Sequence, residues 1–255
     1  FDGKRVPFGP QILFVSRETK DLVVSAEICE DVWSPVPPSI RAALEGALIL
    51  VNCSASDETI GKDRYREGLI SGQSARLIAG YVYANAGEGE STTDVVFGGH
   101  NLIAENGTIL KSSGRFVNET IYSEIDIRRL LSERRKNTTF RSALHKTLPA
   151  VFFSAKEEKT VLTREFSPAP FVPQNERERA DRCEEILMIQ AMGLKKRLEH
   201  THAKTAVVGI SGGLDSTLAI LITAMAFDLL GRDHREILAV TMPCFGTTAR
   251  TRSNA

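Results

Sequence analysis

The stretch Ala206-Val207-Val208-Gly209-Ile210-Ser211-Gly212-Gly213-Leu214-Asp215-Ser216-Thr217 decides how the second half of this chain is read. Its first five residues are a short apolar run of buried-strand type, followed by a glycine-rich turn and a helical pattern from about Asp215. Gly231 supplies a natural stop for that helix, and Ile237-Leu238-Ala239-Val240 is a second buried run. Strand, turn, helix and strand in that order make a βαβ unit, so a parallel sheet is expected here.

The turn itself points to an anion. Glycines between a buried strand and a helix let the backbone approach a phosphate without a Cβ in the way. The helix start then offers unpaired N–H groups and the positive end of its dipole. Ser211, Ser216 and Thr217 add hydroxyls. Asp215 alone would repel phosphate, which argues for a bound cation beside it. A Walker loop needs Lys-Ser/Thr after its last glycine, whereas Leu214-Asp215 follow here, and GxGxxG is absent too. The plainer alternative is a turn in which Asp215 caps the helix. The run SGGLDS resembles the pyrophosphate loop of ATP pyrophosphatases, which split ATP into AMP and pyrophosphate. That resemblance implies ATP contacts at Gly209, Ile210, Ser211, Gly212, Gly213, Leu214, Asp215 and Ser216, with Asp215 also holding Mg²⁺.

Upstream, Ala180, Cys183, Leu187, Ala191, Leu194 and Leu198 recur at three- or four-residue steps and predict a long helix over about 176–199. Residues 135–174 carry charged runs and Pro168, Pro170 and Pro173, and are expected to be a connector. The first 125 residues alternate strand and helix patterns. Two apolar runs flank a polar turn at 17–21, a hairpin signal. Residues 47–53 form a buried-strand run, 62–80 a helix and 81–84 a strand, and Asn106-Gly107 marks a second hairpin. The expected organisation is 1–134, 135–174 as connector, and 175–255.

Cys29 stands at the end of an apolar strand in Ala26-Glu27-Ile28-Cys29-Glu30-Asp31-Val32-Trp33. The residue types leave two readings open. Cysteine is among the most buried residues, and neighbouring carboxylates raise a thiol pKa rather than activate it. Against that, EICEDVW followed by PPS is similar to the nucleophile region of the nitrilase superfamily, in the form found in glutaminase domains. The similarity continues through NCSAS (52–56), IGK (60–62) and GEGESTTD (87–94). It implies that Cys29 attacks a glutamine carboxamide and that Ser56 and Lys62 hold glutamine. The same family uses a glutamate base and a lysine placed earlier than the cysteine. The 28 residues before Cys29 hold no counterpart, since Lys4 and Lys20 read as surface charges and Glu18 lies in the turn.

A nitrilase-type glutaminase joined to this pyrophosphate loop is the arrangement of glutamine-dependent NAD synthetases, which the chain resembles along nearly its whole length. The implied fold is α/β: the C-terminal part of a nitrilase-like α-β-β-α sandwich, then the first part of a Rossmann-like parallel-sheet ATP pyrophosphatase domain. The implied ligands are glutamine, deamido-NAD, ATP and Mg²⁺, in a homo-oligomer. The run Thr241 to Thr248 is similar to a ligand-side loop of these synthetases, with Met242 a candidate adenine contact. Cys244 and Ala249 depart from the family's usual glycine and acidic residue there. A different ATP-loop amidotransferase and an inactive assembly module are the rival readings.

Bulk properties agree with a soluble globular protein. The 255 residues are 42% hydrophobic, and 32 basic residues balance 32 acidic ones, without the excess of a nucleic-acid binder. Four separated cysteines with no CxxC favour a reducing cytoplasm over a disulfide or zinc framework. No apolar run approaches the roughly 18 residues of a membrane helix. The chain begins with Phe1 and stops just after a strand-like run, as expected of an internal fragment.

Overall fold

The computed structural model describes residues 2–90, 94–140, 147–156, 158–159, 161–242, 248 and 253. The chain forms two units, 1–165 and 166–255.

The first unit is built on a seven-stranded mixed sheet. The strands are β1 (Leu13–Ser16), β2 (Val23–Ile28), β3 (Ile49–Ser54), β4 (Gly80–Asn85), β5 (Leu102–Glu105), β6 (Thr108–Ser112) and β7 (Ala150–Phe153). Their spatial order is β6-β5-β4-β3-β2-β1-β7, with β2, β3 and β4 mutually parallel. Helix α1 (Pro38–Leu44) starts with proline at a first-turn position, where its missing N–H costs nothing. Helix α2 (Lys62–Leu77) carries the chain from β3 to β4. The second hairpin closes at Asn106 (φ 44°) and Gly107 (φ 89°), the left-handed pair that Asn-Gly favours.

One face of the sheet packs Leu13, Leu50, Tyr81, Tyr83 and Leu102 with Ile70 and Leu77 of α2. Helix α3 (Ile127–Lys136) buries Arg134 beside this core. Its guanidinium donates to the carbonyls of Ala43, Ala47, Leu77 and Ile78, so one side chain satisfies the C-terminal ends of α1 and α2. Burial lowers Arg134 to about 10, which leaves it charged at neutral pH.

The range 135–174 is not all connector. β7 lies within it and pairs in parallel with β1, from Leu13↔Ala150 to Ser16↔Phe153. Glu45 fixes the approach by accepting from the N–H groups of Thr147 and Leu148, both at 2.8 Å. Arg164 reaches Glu105 of β5 at 2.9 Å. A four-residue apolar run among charges and prolines carries little periodicity, and its pairing with the β1 edge is a long-range event.

The second unit contains α4 (Glu176–Thr201), β8 (Ala206–Gly209), α5 (Leu214–Leu229) and β9 (Ile237–Val240). Strands β8 and β9 pair in parallel, as the βαβ pattern predicts. Gly231 follows α5 at φ 63°. Leu198, Ala226 and Phe227 form the buried centre. The N-terminal half of the α4 stripe is not covered: Ala180 and Cys183 are exposed. Val207 and Leu238 are also exposed, on the pair of strands. Among the described residues no helix is long and apolar enough to cross a membrane.

Candidate active sites

Strand β2 delivers Cys29. Val23, Ser25 and Glu27 point into the core in strict alternation, and the strand gives way at Cys29 to a 3-10 turn over Cys29–Trp33. Cys29 has φ 51°, a left-handed conformation that costs a non-glycine residue about 1–3 kcal/mol. Asn52 of β3 holds it there. Asn52 Oδ1 accepts from the Cys29 N–H and its Nδ2 donates to the Cys29 carbonyl, both at 3.2 Å. Ser54 Oγ donates to the same Oδ1 at 2.9 Å. Asp31 accepts from the Ile28 N–H at 2.8 Å and pins the turn from the other side.

Beneath this turn the acid is not free to act on the thiol. Glu27 is buried and accepts from the Ser39 N–H and the Tyr81 hydroxyl. Burial and the Glu27 charge push the Tyr81 phenol far above its ordinary range, so it stays a donor. Glu27 therefore braces β2 against α1 and β4. Cys29 itself is only half-buried, which removes the inert core-thiol reading.

A cleft of about 310 Å³ opens at Cys29, lined by Glu30, Trp33, Ala55, Ser56, Asp57 and Lys62. That is the small end of ligand-pocket volumes, about 300–1,000 Å³. The structure thus brings Cys29, Ser56 and Lys62 to one place. Ser56 is clamped by a second strand-end asparagine: Asn85 of β4 accepts from the Ser56 N–H at 2.8 Å and donates to its carbonyl at 3.1 Å. Lys62 opens α2 after Gly61, whose φ is 80°. Its ammonium pairs with Asp57 at 2.5 Å and lies 5.7 Å from the Trp33 ring, which stacks on Tyr65 at 5.1 Å. The Lys62 hydrogen bond and charge hold the Asp57 carboxyl below its ordinary range. An ammonium has three donors, so Lys62 can keep Asp57 and still donate to a ligand carboxylate.

Sequence reading missed Asn52, Asn85, Asp57 and Tyr65. A signal existed, since β3 and β4 each carry an asparagine near the C-terminal end of an apolar run. Side-chain polarity at that position of a parallel sheet faces the ligand side.

The phosphate loop is set by backbone and hydroxyls. Gly212 has φ 75°, and Gly213 caps α5 without any side-chain hydrogen bond. Asp215 is therefore not the helix cap, and the cap position itself offers no side-chain acceptor to the first turn. Ser216 is buried and ties the loop together: its Oγ accepts from the Ser211 N–H at 3.2 Å, lies 3.2 Å from Ser211 Oγ and donates to the Gly213 carbonyl at 3.0 Å. Ile210 N–H donates to Val240 at 2.8 Å, which locks the loop to β9. A Cβ at Gly209 would meet nothing within 4 Å, and at Gly213 it would stand 3.4 Å from Ser211 Oγ. The glycines thus leave an open cradle. Leu214 begins α5 and is 89% exposed. Met242 is exposed, and Cys244 and Ala249 lie outside the described residues. Among the described residues no group of three or more His, Cys, Asp and Glu could hold a metal.

A strand-end thiol beside a cleft in a mixed sheet and an open glycine-rich loop in a βαβ unit give an α/β protein with two candidate sites of different chemistry. Residues 186–255 match the model of the NAD synthase family. The glutamine-dependent NAD(+) synthetase of Mycobacterium leprae is 43% identical over 98% of this chain and 38% of its own length. The enzyme of that name from Mycobacterium tuberculosis is 40% identical over 99% and 39%, and the human one 27% identical over 92% and 33%. Nearly the whole chain is similar in sequence to a part of these relatives, and it spans under two fifths of their length. Among solved structures, a glutamine-dependent NAD+ synthetase from Acinetobacter baumannii gives a TM-score of 0.38 at 20% identity, covering 91% of this chain and 35% of that one. A carbon-nitrogen hydrolase from Helicobacter pylori gives 0.42 at 20% identity, covering 51% and 48%.

Proposed function

We propose that this chain is part of an enzyme that amidates deamido-NAD to NAD with ammonia drawn from glutamine, yielding AMP, pyrophosphate and glutamate. The observation that carries this reading is the conjunction of the two sites in one chain homologous to such synthetases. Residues 1–134 would serve the glutaminase and 175–255 the start of the ATP-using domain.

At the first site the half-exposed Cys29 thiolate adds to the glutamine carboxamide carbon, ammonia leaves, and water later releases glutamate from the thioester. Ser56 and Lys62 orient the amino acid, with Lys62 offering its remaining donors to the ligand carboxylate. The family resemblance implies a glutamate base and a second lysine earlier in the chain than the cysteine; the roles of Cys29, Ser56 and Lys62 are attack and binding.

At the second site Gly209 to Ser216 take the phosphates. ATP converts the poorly electrophilic nicotinate carboxylate into an acyl group whose leaving group is AMP. The open cradle and the uncapped α5 start fit phosphate oxygens. The Asp215 carboxylate fits Mg²⁺, which is typically bound by one or two carboxylates, substrate phosphates and water. Balanced charge, free cysteines at 29, 53 and 183, and no membrane-length helix among the described residues support a cytoplasmic setting. A homo-oligomer follows from the resemblance.

The test is stoichiometric. Full-length protein given glutamine, ATP, Mg²⁺ and deamido-NAD should form NAD, AMP, pyrophosphate and glutamate in equal amounts. Turnover of another carboxylate with no NAD formed would replace this reading with a different amidotransferase.

A further inference from the structure

The segment from Ser56 to Lys62 forms one wall of the thiol cleft, and behind it lies a charged pair that the chemistry above does not use. Glu58 immediately follows Asp57, and its side chain is 5% exposed. Arg66 lies one turn of α2 beyond Lys62 and is 0% exposed. Arg66 Nη1 stands 2.8 Å from Glu58 Oε1 and 3.0 Å from His100 Nδ1. An arginine can only donate, so His100 accepts at Nδ1 and carries its proton on Nε2, which faces Ser112 Oγ at 3.0 Å. Arg115 approaches Glu58 at 3.8 Å and Asp63 at 3.4 Å.

The enclosure is close. The Glu58 N–H donates to Val96 at 2.7 Å, and Asp57 pairs with Phe97 in an isolated antiparallel bridge. A Cβ on Gly98 would stand 2.5 Å from Glu58 Oε1, so only glycine admits the carboxylate there. Arg66 Nε and Nη2 are buried and make no hydrogen bond to a described residue. A buried ion pair is weak evidence for stability, because desolvation offsets its attraction and apolar replacements are often neutral. Its position argues for something else. It ties the backbone one residue from Asp57 to the helix face one turn from Lys62, and both of those residues line the Cys29 cleft.

We propose that Glu58 and Arg66 are positioning residues for the amino-acid ligand of the Cys29 cleft, acting through Asp57 and Lys62. The inference rests on the glutaminase reading above and deepens it. The pair should govern glutamine affinity and leave the intrinsic reactivity of the thiol alone.

The test uses the full-length protein and the double variant Glu58→Gln/Arg66→Met, which removes both charges and strands neither. Its glutamine KM should rise at least tenfold. Its thermal midpoint and the rate at which iodoacetamide alkylates Cys29 should stay within twofold or a few degrees of wild type. Arg66→Lys keeps the charge beside Glu58 and should recover most of the KM. An unchanged KM in the double variant overturns the proposal. So does a KM increase accompanied by an equal loss of iodoacetamide reactivity, which is the signature of a merely disturbed fold. If the double variant does not fold, Arg66→Lys and Gly98→Ala decide: the first should raise KM mildly and the second severalfold, and wild-type values in both overturn it. Failure of the underlying reading looks different, since wild-type protein would then leave glutamine unhydrolysed.

Discussion

The two sites are built in opposite ways. The thiol site is held by side chains reaching across the sheet: Asn52 grips a residue 23 positions away, and Asn85 one 29 positions away. The phosphate loop is held mostly within eight residues, by Gly212 at φ 75° and by Ser216 bonding Ser211 and Gly213, with the Ile210 bond to Val240 tying it to the next strand. The first depends on tertiary packing, and the second is nearly complete in local backbone preference. Substitutions should therefore act differently in the two places.

The largest effects separate the two chemistries in the full-length protein. Cys29→Ala should abolish glutamine-dependent NAD formation and leave ammonia-dependent formation within about twofold. Asp215→Ala should lower both by about 10² or more, through lost metal and phosphate binding. Parallel rate assays with glutamine and with ammonium chloride give both numbers. Equal loss of the two activities in the cysteine variant would break the two-site assignment.

Next comes the clamp. Asn52→Leu removes both hydrogen bonds that stabilise the left-handed Cys29 backbone, and each is worth about 1 kcal/mol. Relaxation of that residue should lower glutamine turnover by about 30-fold, the equivalent of about 2 kcal/mol. Iodoacetamide labelling of Cys29 should fall as well, because the thiol itself moves. That outcome contrasts with the Glu58 and Arg66 variants, where only glutamine affinity changes.

In the loop the test is purely conformational. Gly212→Val forces a branched residue to φ 75°, at a cost of about 1–3 kcal/mol. The ATP KM should rise about tenfold, while glutaminase chemistry at Cys29 stays as it was. If Cys29 labelling also drops, the loop and the thiol are coupled, and their separation as independent constructions fails.

The same contrast explains what the sequence revealed. SGGLDS between an apolar strand and a helix is legible because most of its conformational demands fall on adjacent residues. The βαβ order and the Asn106-Gly107 turn are legible for that reason too. Cys29 is ambiguous from its neighbours, since Glu30 and Asp31 argue against activation; family resemblance favours it as the nucleophile, and its half-exposure sets it apart from a core thiol. Asn52 and Asn85 act on residues brought near only by parallel pairing of β2, β3 and β4. β7 was hidden among prolines and charges, and is recruited only because β1 has an edge to fill.

The smallest effect is on stability and concerns the first unit alone. Burial, followed by the neighbouring Arg66 charge, lowers the His100 pKa from 6.5, with Glu67 at 3.7 Å opposing. His100 thus stays neutral in the folded unit while the unfolded chain takes up a proton as pH falls below about 6.5. The unfolded state binds more protons in that window, so stability drops there and is unaffected by this residue at higher pH. Trp33 is the single tryptophan and belongs to the first unit, so its fluorescence follows that unit's unfolding. Between pH 7.5 and 5.5 the midpoint should fall by a few degrees, and by measurably less in His100→Gln, which cannot titrate. An identical drop in the variant would assign the pH sensitivity to other groups and leave the Arg66–His100 contact as packing alone.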